Sequence, residues 1–107
     1  MTSTRIRELN DAFRANFAGG HVAMTIGIGM LTPESQSQLM YKVRNFSHFE
    51  KGNDPYAEHD FGSIDHDGEK FFWKIDYYNR TMESGSPDPS DASVTMRVIT
   101  IMRADEY

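Results

Sequence analysis

Asn53 to Asn79, NDPYAEHDFGSIDHDGEKFFWKIDYYN, is the stretch that decides the fold. Asp67-Gly68 lies between two runs rich in aromatic and β-branched residues, and Asp-Gly suits a two-residue turn whose central positions both need positive φ. The pattern predicts a β-hairpin with strands over about 57–65 and 70–79. A turn centred on Asp67-Gly68 sets Ile64 opposite Phe71, Gly62 opposite Trp73 and Asp60 opposite Ile75. The other face then pairs Ser63 with Phe72, Phe61 with Lys74 and His59 with Asp76. Seven of the thirteen aromatic residues fall in this stretch, more than one buried sheet face needs.

The flanking sequence supplies the remaining elements. Residues 4–17 carry Ile6, Leu9, Phe13 and Phe17 at spacings of three and four, the signature of one apolar helical face. Ser3 or Thr4 would cap its start, and Gly19-Gly20 would end it. His21 to Met30 alternates, with Val22, Met24, Ile26, Ile28 and Met30 on one side and small residues on the other. It reads as a strand with one apolar face. Thr32-Pro33 opens a second helix reaching Asn45 or Phe46, because a hydroxyl caps the first turn and proline is preset for its first position. A loop over 80–94 and a last strand over 95–103 complete the chain. The fold expected is α+β: two helices packed on a four-stranded, mainly antiparallel sheet, in the order helix, strand, helix, strand, strand, strand. With 107 residues, no repeats and no linker, the chain makes a single domain.

Charge is unevenly placed. Residues 1–49 hold five basic against three acidic groups, whereas 50–107 hold six against thirteen. Glu50 to Glu69 alone carries seven carboxylates and one lysine. Such a surface repels phosphates, so direct nucleic-acid binding is not expected, and a basic or apolar partner is. The absence of cysteine removes thiolate metal sites, thiol nucleophiles and disulfides, which suits a reducing cytoplasmic setting. No apolar run is long enough for a membrane span, and the first residues lack the apolar core of a secretory signal.

Two constellations carry possible chemistry. His59, Lys74, Asp76 and Tyr78 share the second hairpin face, where Asp76 would orient His59 as a general base and Lys74 would stabilise a developing anion. An acid/base hydrolase built on them is the alternative reading. The leading one is a non-enzymatic protein-interaction surface comprising Asp54, Tyr56, Glu58, His59, Asp60, Phe61, Phe72, Lys74, Asp76 and Tyr78, in which exposed aromatics ringed by charge act as anchors. A helix on each face of the sheet would instead bury both aromatic sets. A third reading is a homodimer through an edge strand at Met96 to Met102. No cofactor is expected, because IGIGML (26–31) lacks the third glycine and the context of a nucleotide loop. No metal is expected either, since Asp65-His66-Asp67-Gly68-Glu69 lacks the further ligands and flanking helices of a calcium loop.

Several segments together have a wider likeness: RIRELNDAFR (5–14), GG-x-V-x-M-T (19–25), NDPYAEHDFG (53–62), FWKIDYYN (72–79), GSPDPSD (85–91) and T-x-R-V-x-T-I-M (95–102). The chain resembles a domain-of-unknown-function family of small, mainly alphaproteobacterial proteins, often carried on plasmids and mobile elements. Asn79 stands where that family's pattern has Asp after the paired tyrosines. The resemblance implies a setting rather than an activity: a mobile-element accessory factor, of the kind that inhibits host defence in anti-CRISPR or anti-restriction fashion.

Overall fold

The computed structural model describes residues 2–107. Its elements are α1 (Thr2–Asn16), β1 (Gly20–Met24), a single turn α2 (Ile26–Gly29), α3 (Pro33–Arg44), β2 (Phe61–His66), β3 (Glu69–Tyr78) and β4 (Met96–Arg103). Short 3-10 turns precede and follow β4, at Ala92–Val94 and Ala104–Glu106. The fold is α+β, and the four strands form one sheet in the order β1-β4-β3-β2. Two pairings are antiparallel, and β1 joins β4 in parallel.

The hairpin register is the one the Asp67-Gly68 turn dictates. Ile64 pairs with Phe71, Gly62 with Trp73 and Phe61 with Lys74. Asp67 and Gly68 both take positive φ, 52° and 78°, which matches the right-handed twist of the strands they join. Strand β2 nevertheless starts at Phe61, four residues later than the alternation predicts. Ala57 and His59 lie in the left-handed region, with φ of 54° and 57°, which breaks the extended path. The buried Asp54 carboxylate holds them there by accepting the Glu58 and His59 N–H groups at 3.0 and 3.1 Å.

The second correction concerns residues 21–30. Only Gly20–Met24 is strand; Ile26–Gly29 coils, burying Ile28 completely and leaving Ile26 and Met30 exposed. The C-terminal segment imposes this turn. Glu106 accepts from the Thr25 hydroxyl at 2.6 Å, the Gly27 N–H at 2.9 Å and the Arg103 N–H at 2.8 Å. A side chain at Gly27 would strike Arg103 and the Glu106 carboxylate. Val22 and Met24, on the apolar face of that strand, are also exposed, because β1 is an outer strand.

Helix α3 starts as its sequence dictates, with Thr32 Oγ1 accepting the Ser35 N–H at 3.1 Å and Pro33 at the first position. Helix α1 starts at Thr2, so Ser3 and Thr4 lie inside it, and Phe17 takes a left-handed conformation (φ 58°) just beyond its end. Buried Arg14 ties the two helices together. Its Nη1 donates to the Val43 and Phe46 carbonyls, both at 2.9 Å, satisfying acceptors that the end of α3 leaves open. Its guanidinium also lies 5.0 Å from the Trp73 ring. Burial pulls the Arg14 pKa below its ordinary value, against the opposing pull of Asp11.

All three helices pack on the same face of the sheet. Phe13, Ile28, Leu39 and Val43 meet Ile64, Phe71, Trp73, Ile75, Ile99 and Ile101 there. Gly62 makes room for the opposed indole, since a Cβ at that position would overlap Trp73. Strand β4 lies inside the sheet with partners on both sides, so Met96 to Met102 offers no free edge for dimerisation. The free edges belong to β1 and β2.

Candidate functional site

Strand alternation places Phe61 and Ser63 of β2, Phe72, Lys74, Asp76 and Tyr78 of β3, and Met96, Val98, Thr100 and Met102 of β4 on the face without helices. Its centre is aromatic. Phe61 and Phe72 lie 5.2 Å apart between ring centroids. Tyr107, brought back by the last turn, sits edge-on to Phe72 at 5.5 Å and tilted to Phe61 at 6.0 Å. Beside this trio Lys74 Nζ lies 2.8 Å from Asp76 Oδ2. That hydrogen bond raises the Lys74 pKa, and burial opposes it only in part. Phe61, Phe72, Lys74, Asp76 and Tyr78 are all half-buried, and Tyr107 is exposed.

His59 lies elsewhere, and the expected pair with Asp76 is not assembled. The left-handed turn at Ala57–His59 carries the imidazole to the side of α1, where Nδ1 is 2.8 Å from Asp11 Oδ1. Nε2 is 3.7 Å from Asp54 Oδ2, and the ring stacks on Phe49 at 3.7 Å and 3°. Asp76 is engaged by Lys74. The predicted set therefore divides in two. Phe61, Phe72, Lys74, Asp76 and Tyr78 share the open face, while Asp54, Glu58, His59 and Asp60 gather at one end of the sheet; Tyr56 stands exposed on the loop.

The end cluster is electrostatically tense. Burial raises the Asp60 pKa, and neighbouring Asp54 and Asp76 add to the effect. Glu58 is raised as well, first by burial and then by Asp60, while the Ser3 hydroxyl pulls the other way. Tyr77 is pushed up to about 12 by burial, and its hydroxyl accepts from the Asn10 amide at 2.8 Å. Asn10 in turn accepts from Arg97 Nε at 2.7 Å and donates to the Glu58 carbonyl at 3.0 Å. This network joins α1, the acidic loop and β4.

A third group escaped the sequence reading. His66 is buried under α3, with Nε2 3.0 Å from Ser35 Oγ and Nδ1 3.0 Å from Lys42 Nζ. A serine beside a histidine suggests a nucleophile, but Lys42 reverses the polarity. An ammonium only donates, so Nδ1 accepts and the single proton of neutral His66 sits on Nε2. His66 therefore donates to Ser35, whose own proton points to Asp67 Oδ2 at 3.4 Å. A general base must accept from the hydroxyl instead, so this arrangement fastens the hairpin turn to α3. The period of two from Gly62 and Ile64 already put His66 on the covered face; its partners on α3 carried no sequence signal.

Among the described residues, no three His, Asp or Glu side chains converge in a way that would hold a metal ion. No helix among them is long and apolar enough to cross a membrane.

Fold and site together define a small α+β protein with one helix-covered and one open sheet face, the open face bearing aromatics beside an ion pair. Residues 24–106 match the family model described as Protein of unknown function (DUF3768), and the chain belongs to that family. No curated protein and no solved structure matches it. The matched span contains Phe61, Phe72, Lys74 and Asp76 of the open face, and begins after Asp11, the partner of His59.

Proposed function

We propose that this protein is a non-enzymatic interaction module that docks a protein partner on the open face of its sheet. One observation carries the reading. A sheet with three helices on one side leaves Phe61, Phe72 and Tyr107 as an aromatic centre on the other, bordered by Lys74, Asp76 and Tyr78. Aromatic side chains give large contact area at low entropic cost, and surrounding charge fixes orientation. Asp54, Glu58 and Asp60 lie at one end of β2 and the turn carboxylates at the other, so the complementary partner surface is apolar at its centre and basic at its rim. The enzymatic alternative requires His59 and Asp76 in contact, and they have separate partners.

The biological setting we propose is that of a cytoplasmic accessory factor of mobile DNA in bacteria, acting as an inhibitor of a host defence protein of the anti-CRISPR or anti-restriction kind. Its support is the likeness of the quoted motifs to plasmid-borne family members together with the acidic stretch from Glu50 to Glu69.

The test is affinity capture of a partner from the native host, with Phe61→Ala/Phe72→Ala as the paired bait. The expected result is a stoichiometric protein held by the parent and lost by the folded variant, with binding that weakens as salt rises. Equal capture by both baits would remove the open face from the reading.

A further inference from the structure

The opposite end of the sheet offers a second, independent surface. Strand β1 is an outer strand joined only to β4, in parallel. Thr25 N–H reaches the Ile101 carbonyl at 3.2 Å. Because successive residues of a strand point their backbone groups to opposite sides, His21 and Ala23 also face β4, and Val22 and Met24 turn their N–H and C=O outward. Strand edges that must stay free are usually guarded by lysine, proline or a bulge. Gly20-His21-Val22-Ala23-Met24 has none of these.

Beside this edge runs a groove of about 400 Å³ between β1 and α3, lined by Phe17, Val22, Met24, Met40 and Arg44 among others. Among the described residues, four of the eight exposed large apolar side chains fall within nine residues of sequence, Val22, Met24, Ile26 and Met30, and the first two line the groove. Arg44 is the groove's one charged residue. Its guanidinium lies 5.9 Å from the Phe17 ring, and among the described residues it joins no ion pair.

We propose that this groove binds an extended segment of a partner protein, which adds to the sheet as a strand beside β1. The segment presents apolar residues at alternate positions to Val22, Met24 and Met40, and a carboxylate to Arg44. Three features select this occupant. The outward N–H and C=O groups of Val22 and Met24 call for a strand rather than a helix, since only an extended backbone satisfies both. The apolar wall on one side takes every second side chain. Arg44 in a half-apolar setting favours an acidic ligand, consistent with the net positive balance of residues 1–49. A second copy of the chain fits less well: two β1 edges paired together bring no carboxylate from Gly20–Met24 to either Arg44.

The experiment selects displayed random eight-residue peptides on the immobilised full chain, on Val22→Pro and on Arg44→Glu. Proline at Val22 removes an outward N–H and spares the ladder to β4, because an edge strand tolerates proline on its free side. The expected result on the parent is enrichment of peptides with apolar residues at every second position and an Asp or Glu beside them. In anisotropy titrations the most enriched peptide should bind Val22→Pro at least tenfold more weakly. On Arg44→Glu the enrichment should shift from acidic to basic residues. If Val22→Pro does not fold, Met24→Lys, which blocks the same groove by side chain, carries the comparison. No enrichment over bare support, helical spacing in the winners, or undiminished binding to the folded variant would overturn the proposal. So would a dimer of the parent in light scattering that Val22→Pro abolishes, since that assigns the edge to self-pairing.

Discussion

The two faces of this sheet come from the same strands and the same alternation, yet they differ in kind. On the covered face Phe71, Trp73, Ile75, Ile99 and Ile101 are essentially removed from solvent. On the open face the residues between them, Phe72, Lys74, Asp76 and Tyr78, stay half-buried and carry charge beside aromatic rings. The covered face is close-packed, so any change of volume is felt. The open face is held by a few ring contacts, the ion pairs Lys74–Asp76 and Lys70–Asp65, and the buried Val98 and Met102 of β4, with charge and aromatic rings left at its half-buried positions. If recognition uses the open face as proposed, substitutions on alternate residues of a single strand should separate it from the stability that the covered face supplies.

Trp73→Ala is expected to have the largest effect. It empties a fully buried site beneath Phe46, Phe49 and Arg14, and truncating such a residue costs about 3–5 kcal/mol. Urea unfolding should show it directly; a loss as small as that of Phe72→Ala would mean the two faces are not energetically distinct. Gly62→Ala is a sharper probe of the same packing, because it adds only a methyl group against the indole. Overpacking of this kind costs about 1–3 kcal/mol, and a lowered thermal midpoint with unchanged secondary structure is the expected signature. Phe72→Ala, one residue from Trp73, should cost roughly 1 kcal/mol of stability, since only part of its surface is buried. Its effect on partner binding should exceed its effect on folding, which calorimetry and a binding titration on the same samples would resolve.

Two smaller effects have opposite signs with pH. The Glu106 pKa is lowered, first by the Thr25 hydroxyl and then by the Arg103 N–H. A depressed carboxylate contributes stability that is present above its unfolded pKa and is lost as pH falls through the folded one. The thermal midpoint should therefore decline on acidification, and Glu106→Gln should flatten that decline. Asp60 is shifted the other way by burial. Its charged form is disfavoured in the folded state, so it detracts from stability above the raised folded pKa. That penalty is relieved as pH falls through the folded pKa towards the unfolded one. Asp60→Asn should accordingly raise the thermal midpoint at neutral pH. A lowered midpoint would show that the charge is compensated by its neighbours, and that the end cluster is part of the scaffold.

Local rules carried much of the architecture. The Asp67-Gly68 turn set the hairpin register residue by residue, and Thr32-Pro33 set the start of α3, because both depend on backbone preferences of two adjacent residues. The split between Trp73 and Phe72 faces followed from the period of two alone. The path of residues 57–60 did not, because Asp54, several positions away, captures two N–H groups and turns the chain. Alternation at 26–30 was equally misleading: a carboxylate 79 residues along the chain caps Gly27 and makes a helical turn of it.

The sequence by itself thus determined the elements whose causes are local: the hairpin, its facing pairs from Phe61 to His66, the start of α3 and the acidic bias of the second half. Only the tertiary structure decided that all three helices cover one face, that β4 lies inside the sheet and β1 at its edge, and that His59 pairs with Asp11 while Asp76 pairs with Lys74. Those outcomes depend on contacts between segments far apart in the chain. Each strand's alternation offers two faces and two edges and does not say which of them another element will cover.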